Sequence, residues 1–577
     1  MIKKVAKAKT KKAAKRTIDP QKLKQLKQKR SIRALFARIG FKRIPADGIQ
    51  FRFMNRNGEL DDIFLIENIL IIAEYTVGKT GSAHVATKSI IYTHILNHTE
   101  EWVNFYSDIN SEFKAEIDSC GYASSEIRVR IVYVSLEGVS DDIETAFPDY
   151  RFLDGTRLRY FDALSKTIHK SARHEFYKYL GLDYSEIGEQ VLNTSGDTRN
   201  FDGYMLPEAH SGYPKGFKVV SFYADPGTLL AVSYVLRKDS WRDGEGLYQR
   251  ILIKNKIASM RRYLVDAKRV FVNNIVVTLP PNTQLNDPPT SKNIAPEDLD
   301  RLRQVRIGVP YSANMIGLVD GQHRIFCYHE ANDPLENKIS TLRKRQNLLV
   351  TGLIFPNSWN DHQKRQFEAK LFLEINDNQA RAKSGLKQSI ELILNPYSTI
   401  AIAKEVTNRL SKKGPLAGLL QTNFFDSPEM IKTTSIVSYG LRPLLKLDGQ
   451  DSLFAAWKSL NKENLADNKT DLAIRKSLLE NYLNFCVDEI NKFLLAMMTK
   501  TGPERWKIKT DRKDQFLTPT TINGFFVCIR KLVENKKLTS QQQYETKLNG
   551  VESFTFGDFK SSAWKSLGDG LYTKYFA

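Results

Sequence analysis

The sequence predicts a mixed α/β (α+β) protein with more than one domain. Its 577 residues exceed the roughly 100–200 residues of a typical domain. Segments with the twofold alternation of strands, such as Glu126–Val134, occur beside segments with helical spacing, such as His84–Asn97. From Lys387 onward the spacing is mostly helical. These features predict an N-terminal mixed sheet with helices, a central α/β domain and a helical C-terminal region.

The composition predicts a globular protein without a membrane partner. No apolar run approaches the roughly 18 residues that a spanning helix needs. The basic start of the chain lacks the apolar core of a secretory signal. The cysteines are too scattered for a disulfide framework or a zinc site, which favours reduced thiols and a cytoplasmic location. They are Cys120, Cys327, Cys486 and Cys528.

The first 33 residues carry most of the excess positive charge. They hold fourteen Lys or Arg and one acid, Asp19, so this segment contributes +13 of the net charge of +21. Such a stretch predicts a disordered basic tail that neutralises DNA phosphates without reading sequence. A tail that only aids solubility is the alternative. Within the basic region, Pro20–Phe36 has the spacing of a helix.

Acidic residues bracket a predicted β-hairpin near the N-terminus. Asp61 and Asp62 open one strand, a turn at Glu67-Asn68 follows, and Glu74 closes the apolar strand Ile69–Tyr75. A hairpin brings Asp61 or Asp62 close to Glu74, and two clustered carboxylates can hold Mg²⁺ together with water and a phosphate oxygen. The alternative is an ordinary hairpin with solvated acids at its ends.

This pattern resembles the core of the PD-(D/E)xK restriction endonucleases, in which an acid, a spacer and Glu-x-Lys lie on neighbouring strands. The resemblance implies a nuclease fold over residues 34–200 with Asp61 and Glu74 as metal ligands. Thr76 occupies the lysine position, so Lys79 or Lys88 would have to replace that lysine. An inactive domain that keeps the fold remains an alternative to an active nuclease.

A second segment, Leu318–Arg324, reads Leu-Val-Asp-Gly-Gln-His-Arg. The apolar pair should end a strand, Gly321 permits a tight turn, and Ile325–Ala331 can begin a helix. Free backbone N–H groups and the Arg324 guanidinium would then form a phosphate site, to which His323 could add a hydrogen bond. In the alternative reading, His323 and Arg324 pair with Asp320 or Glu330 and only brace the turn.

The segment resembles the signature of DGQHR-domain proteins, a family similar to ParB and sulfiredoxin that includes a regulator of DNA phosphorothioation genes. Three flanking stretches also resemble the family: Tyr248–Arg250, Phe271–Val277 and Phe372–Gln379. The resemblance covers residues 217–400 and precedes the helical region 401–577. It implies contacts with a nucleotide triphosphate, ATP or CTP, for Arg250, Asp320, Gly321, Gln322, His323, Arg324, Glu374, Asn376 and Asn378.

Together the two patterns predict a Mg²⁺-dependent nuclease coupled to a nucleotide-binding domain, with DNA and nucleotide as partners. The expected setting is bacterial DNA modification or anti-phage defence. One alternative is a non-catalytic DNA-binding transcriptional regulator or DNA-modification accessory protein. Another is a nucleotide hydrolase that acts through the DGQHR domain alone. A homo-oligomer, or assembly with other defence or modification proteins, is left open.

Overall fold

The computed structural model describes residues 20–76, 78, 82–139, 141–188, 198–235, 252–295, 299–311, 315–377, 384–423, 425–507, 516–560 and 562–577. These residues fall into two compact units. The first is bounded by Met1–Leu158 and Glu186–Asn193, and the second by Arg159–Ser185 and Thr194–Ala577. The predicted mixed α/β multidomain fold is confirmed.

The first unit is a mixed five-stranded sheet with helices on both faces. Its helices are α1 (Pro20–Ile39), α2 (Ser82–Asn97), α3 (Thr99–Ile109), α4 (Ser111–Cys120) and α5 (Asp141–Ala146). The strands of the sheet are β1 (Lys42–Pro45), β4 (Asp62–Ile66), β5 (Ile69–Thr76), β6 (Arg128–Ser135) and β7 (Tyr150–Asp154), and β2 (Gln50–Phe53) and β3 (Arg56–Glu59) form a separate hairpin.

The sheet order is β1-β4-β5-β6-β7. Strand β4 is antiparallel to β1 and β5, whereas β5, β6 and β7 run parallel. The predicted hairpin is confirmed, with Glu67 in the left-handed region at its turn. Strand β5 is apolar and buried from Ile69 to Ala73 because helices cover both faces of the sheet.

The basic segment is helical from residue 20, so the prediction of a disordered tail over residues 1–33 is wrong for residues 20–33. Helix α1 buries Ile32, Leu35 and Phe36, and the Phe36 ring stacks on Phe64 of β4 with centroids 4.2 Å apart. Burial of one apolar face stabilises a helix whose other positions are mostly Lys, Arg and Gln. Residues 1–19 lie outside the described residues.

The second unit contains an eight-stranded sheet in the order β10-β14-β11-β15-β9-β8-β13-β12. Its strands are β8 (Thr198–Leu206), β9 (Lys218–Ala224), β10 (Ser233–Tyr234), β11 (Ile275–Leu279), β12 (Gln284–Asn286), β13 (Arg303–Pro310), β14 (Ile316–Asp320), β15 (Leu348–Ile354), β16 (Leu420–Gln421) and β17 (Ile431–Lys432). The last two form a separate small sheet.

The helices of the second unit precede the sheet strands, alternate with them and then dominate the C-terminal region. They are α6 (Gly155–Ile168), α7 (Arg173–Tyr179), α8 (Glu208–Ser211), α9 (Pro226–Val232), α10 (Lys254–Ala267), α11 (Gln322–Phe326), α12 (Glu336–Arg345), α13 (Asp361–Asp377), α14 (Ser384–Leu394), α15 (Thr399–Leu410), α16 (Arg442–Leu444), α17 (Leu453–Ala456), α18 (Leu472–Thr501), α19 (Pro519–Glu534), α20 (Gln541–Lys547) and α21 (Trp564–Tyr575).

The boundary between the two units differs from the predicted domain boundary in one important respect. Residues 159–185 belong to the second unit, although the sequence placed them with 34–200. Their apolar side chains, including Leu164 and Phe176, are buried there. In the helical C-terminal region, α18 buries Tyr482 and Phe493. Across the described ranges, no helix is long and apolar enough to cross a membrane.

Candidate active site and phosphate site

Two acidic residues, Asp61 and Glu74, lie at the open end of the β4–β5 hairpin. Asp62 is paired with Ala73, and continuing this antiparallel register places Asp61 opposite Glu74 on the same face. The Asp61 carboxylate accepts the backbone N–H of Tyr75 at 3.0 Å, which holds it against β5. Glu74 is only 5% exposed. The sheet register thus brings together the two residues predicted as metal ligands.

Helix α2 supplies two groups that bind the Glu74 carboxylate. Lys88 Nζ lies 2.9 Å from Glu74 Oε1, and the Tyr92 hydroxyl donates to Oε2. Burial raises the pKa of Glu74; Lys88 and Tyr92 lower it, and the nearby charge of Asp61 raises it further. The net shift is upward, so this carboxylate would be further stabilised in its charged form by an added cation.

Lys29 of α1 is part of the same cluster and was missed by the sequence analysis. Its Nζ lies 2.8 Å from Asp61 Oδ1 and 5.5 Å from the centre of the Tyr75 ring. Burial lowers the pKa of Lys29, but Asp61 and the charges of Asp47 and Asp62 outweigh that effect and raise it. The available signal was the helical spacing of Lys29 with Ile32, Phe36 and Ile39, which places it beside the buried face of α1.

Asp62 lies on the opposite face of β4 and is not available as a metal ligand. Its side chain is fully buried, and both oxygens are taken by Arg33 at 2.8 and 3.1 Å, by Arg43 at 2.5 Å and by the Tyr75 hydroxyl at 2.9 Å. The prediction that Asp62 belongs to the catalytic set is therefore wrong. Successive strand residues point to opposite faces, so only one of two adjacent acids can join Glu74.

Of the other predicted residues of this site, the structure describes Thr76 and Lys88. Thr76 ends β5, and its carbonyl accepts a hydrogen bond from Gln28 Nε2 at 2.8 Å, so its described role is in the backbone. Lys79 lies outside the described residues. Of the two proposed replacements for the family lysine, Lys88 is the one that the structure describes, in contact with Glu74.

The donor set suits a hard cation. Asp61 and Glu74 offer carboxylate oxygens, which Mg²⁺ prefers, and Mg²⁺ usually keeps several waters rather than a full protein cage. Within the described ranges, no group of three or more His, Cys, Asp or Glu is arranged to hold a metal. An ion here would therefore depend on this pair of carboxylates together with water and substrate oxygens.

The Leu318–Arg324 segment forms the predicted strand, turn and short helix. Strand β14 ends at Asp320, Gly321 adopts a left-handed φ of +97°, and α11 begins at Gln322. Arg324 Nη2 lies 2.7 Å from Asp320 Oδ2. The arrangement in the structure is thus the internal ion pair that the sequence analysis held as the alternative to a phosphate contact.

Two polar atoms of this turn are buried without a hydrogen-bond partner among the described residues: Gln322 Oε1 and Arg324 Nε. The ring of His323 is 3.4 Å from the backbone N–H of Ile253, which can donate to Nε2. Glu330 does not pair with Arg324; it binds Arg173 at 3.1 Å. The Arg324 guanidinium therefore keeps donor capacity beyond its bond to Asp320.

The acidic box predicted after Phe372 is helical as far as Asp377, the last of its described residues. Glu374 is exposed on α13, and its carboxylate is 4.0 Å from Lys370. Glu368, six residues earlier, is instead buried against the sheet, where it accepts hydrogen bonds from Thr278 and, at 3.1 Å, from the Tyr234 hydroxyl. The sequence prediction thus selected an exposed glutamate of α13 and missed the buried one.

Three of the predicted nucleotide contacts lie where the structure gives no side chain. Arg250 and Asn378 are outside the described residues, and the side chain of Asn376, near the end of α13, is also outside them.

A cavity of about 320 Å³ lies beside the segment that follows α11. Arg261, 2% exposed, braces it through Asp333 at 3.0 Å and the carbonyl of His329 at 2.5 Å. Burial, and secondarily Arg261, lower the pKa of His329 to about 3, so its ring is neutral. The exposed cations Lys254 and Arg262 are part of the lining. The cavity has the charge that suits an anionic ligand.

No family model, no curated protein and no solved structure matches the chain.

Proposed function

We propose that the chain is a Mg²⁺-dependent DNA endonuclease whose first unit holds the cleavage site. The observation that supports this best is the position of Asp61 and Glu74, one residue beyond the Asp62–Ala73 pair of the hairpin, with Lys88 bound to Glu74. This is the combination of two acids and a lysine that the PD-(D/E)xK resemblance implies. In this chain the lysine lies on α2 rather than on β5.

Each group has a distinct role in this proposal. Asp61 and Glu74 would hold Mg²⁺, which supplies Lewis acidity and lowers the pKa of bound water. Lys88 places a positive charge beside Glu74, where it can stabilise negative charge that develops on a phosphate. The Tyr92 hydroxyl positions Glu74 by donating to its second oxygen. Lys29 holds the Asp61 carboxylate and would move aside as the cation binds.

Charge supports nucleic acid as the substrate. The chain has a net charge of +21, and residues 1–33 contribute +13 of it. Excess Lys and Arg attract the phosphate backbone and release its counterions, which favours DNA over uncharged substrates. Following the two family resemblances, we propose that this action on DNA serves DNA modification or anti-phage defence.

The direct test is incubation of the purified chain with supercoiled plasmid. Nicked or linear products should form with Mg²⁺ and disappear with a chelator, because hydrolysis depends on the cation held by the two carboxylates. The reaction is run without nucleotide and with ATP or CTP. DNA that stays intact under all of these conditions, while the chain still binds it, would favour a non-catalytic DNA-binding regulator.

For the second unit we propose a phosphate-bearing ligand, ATP or CTP, at the Asp320–Arg324 turn. The supporting observation is the Gly321 turn, which presents a guanidinium whose Nε is buried without a partner in the described part of the chain. Nucleotide binding would replace the Asp320 bond with a phosphate contact. A nucleotide hydrolase that acts through this unit alone is the second candidate function.

Replacing Arg324 tests this site. Loss of a charge-assisted contact costs about 1.5–3 kcal/mol, so Arg324→Ala should weaken nucleotide binding by roughly ten- to a hundredfold. Arg324→Lys should recover only part of that loss, because an ammonium cannot reproduce the forked donor. Calorimetry with ATP and CTP measures the affinities. Lys476→Ala, which removes an exposed cation of α18, serves as the control and should bind nucleotide like the parent.

The Arg324 experiment also has an outcome that rejects the site. If the parent binds neither nucleotide, or if Arg324→Ala only lowers the melting temperature and leaves the affinity unchanged, the pair with Asp320 is a structural brace.

A further inference from the structure

The β-hairpin that precedes Asp61 buries its two phenylalanines and exposes its other side chains. Strands β2 and β3 form it, and we call residues Gln50–Glu59 the Met54 hairpin. Phe51 and Phe53 are buried, with ring centroids 5.5 Å from Tyr106 and 5.4 Å from Phe105 of α3 respectively. All other side chains of the hairpin except Gly58 are exposed: Gln50, Arg52, Met54, Asn55, Arg56, Asn57 and Glu59.

The turn of this hairpin holds a methionine in an unfavourable backbone conformation. Phe53 pairs with Arg56, so Met54 and Asn55 form a two-residue loop, with φ of +46° and +62°. Such a loop favours Asn or Gly at both positions, and a side chain such as that of Met is disfavoured there. Met54 is nevertheless 40% exposed at the tip. Neither folding nor solubility accounts for an exposed apolar residue at a strained position.

The register cannot easily shift to relieve this strain. Asn57-Gly58 would be the more favourable turn, but a Cβ at Gly58 would collide with the Phe51 ring, so Gly58 is needed inside the hairpin. Burial of Phe51 and Phe53 against α3 fixes the pairing. The tip is therefore presented rigidly, with Met54 and Asn55 at its end.

The exposed side chains of the hairpin include the types with which proteins bind the DNA minor groove. Arg, Asn and Gln read that groove, and an apolar tip such as Met can wedge between base steps. Arg52 and Arg56 have no ion-pair partner in the described part of the first unit. The hairpin also ends beside the cleavage site: Lys88 Nζ lies 3.3 Å from the carbonyl of Glu59, and Asp61 follows two residues later.

We propose that the Met54 hairpin engages the DNA minor groove, with Arg52 and Arg56 along the groove and Met54 inserted at a base step. The inference rests on the proposed action of the first unit on DNA. It adds how the substrate is held: the duplex is bent at the hairpin and delivered to the Asp61–Glu74 pair.

Substitution of Met54 by glycine separates folding from DNA contact. Glycine tolerates the left-handed conformation and has no side chain to insert, so Met54→Gly should keep the melting temperature of the parent. The same variant should bind a DNA duplex about tenfold more weakly than the parent and should bend it less. Bending is measured by energy transfer between dyes at the two ends of the duplex, with Ca²⁺ in place of Mg²⁺. A role in packing alone predicts no change in either DNA measurement.

Charge variants test the arginines. Arg52→Gln and Arg56→Gln should each weaken binding about tenfold and reduce the slope of log affinity against log salt by about 1. Lys114→Gln, an exposed charge on α4, is the matched control and should behave like the parent. Netropsin, a minor-groove ligand, should compete with the parent for A·T-rich duplexes.

The outcomes distinguish this inference from the proposed cleavage. Hairpin variants that bind and bend DNA like the parent, or parent binding that resists netropsin, would overturn the hairpin assignment even in a chain that cleaves plasmid. Weakened binding in a chain that never cleaves would support the hairpin and reject the nuclease.

Discussion

Glu74→Ala should lose plasmid cleavage by at least about 10²-fold while binding duplex DNA like the parent. Glu74 is one of only two carboxylates proposed to hold Mg²⁺, and a preorganised group in a buried site is worth about that much or more. Glu74→Gln should be equally inactive, because it keeps the size of the side chain but removes its charge. Initial rates of nicking at saturating Mg²⁺ are the measurement.

The control for Glu74 is an exposed acid of the same unit. Glu101 of α3 has a side chain 63% exposed, so Glu101→Ala should cleave at the parent rate. Lys88→Ala should also reduce cleavage, because it removes the cation bound to Glu74, and Lys114→Ala should not. Parent-like cleavage by Glu74→Gln would reject the assignment of the site to this hairpin.

The local geometry of both sites followed from short sequence patterns. The β4–β5 hairpin was predictable because an apolar strand, a turn and a second apolar strand are contiguous. The turn at Gly321 was predictable because the sequence places a glycine between an apolar strand and a helical segment, and only glycine adopts that φ readily.

The partners of the charged residues were not predictable, because they depend on contacts between distant parts of the chain. Lys29 reaches Asp61 from a helix 32 residues earlier, and which of two adjacent acids faces α2 depends on how β4 sits in the sheet. The different environments of Glu368 and Glu374 were likewise not predictable from the sequence. Both lie on α13, and only the packing of that helix buries one and exposes the other.

Asp62→Ala should destabilise the first unit by about 3 kcal/mol, the lower end of the cost of breaking a buried ion pair. Asp62 is fully buried and is the shared counter-charge of two guanidinium groups, so its removal leaves Arg33 and Arg43 without that carboxylate. Because both arginines are about one-third exposed, water offsets part of this cost. The Tyr75 hydroxyl also loses its acceptor.

Hydrogen exchange of the amides of β5 measures this loss locally, since global unfolding of a chain with two units is not two-state. Asp118→Ala, an exposed acid of α4, should leave the exchange unchanged. Asp61→Ala provides the decisive contrast. It should abolish cleavage and speed exchange only at Tyr75, whose N–H donates to the Asp61 carboxylate, because Asp61 lies at the open end of the hairpin and is bound to Lys29 rather than buried within the sheet. If Asp62→Ala instead exchanged like the parent and lost cleavage, Asp62 would be the metal ligand and the assignment of the two acids would have to be reversed.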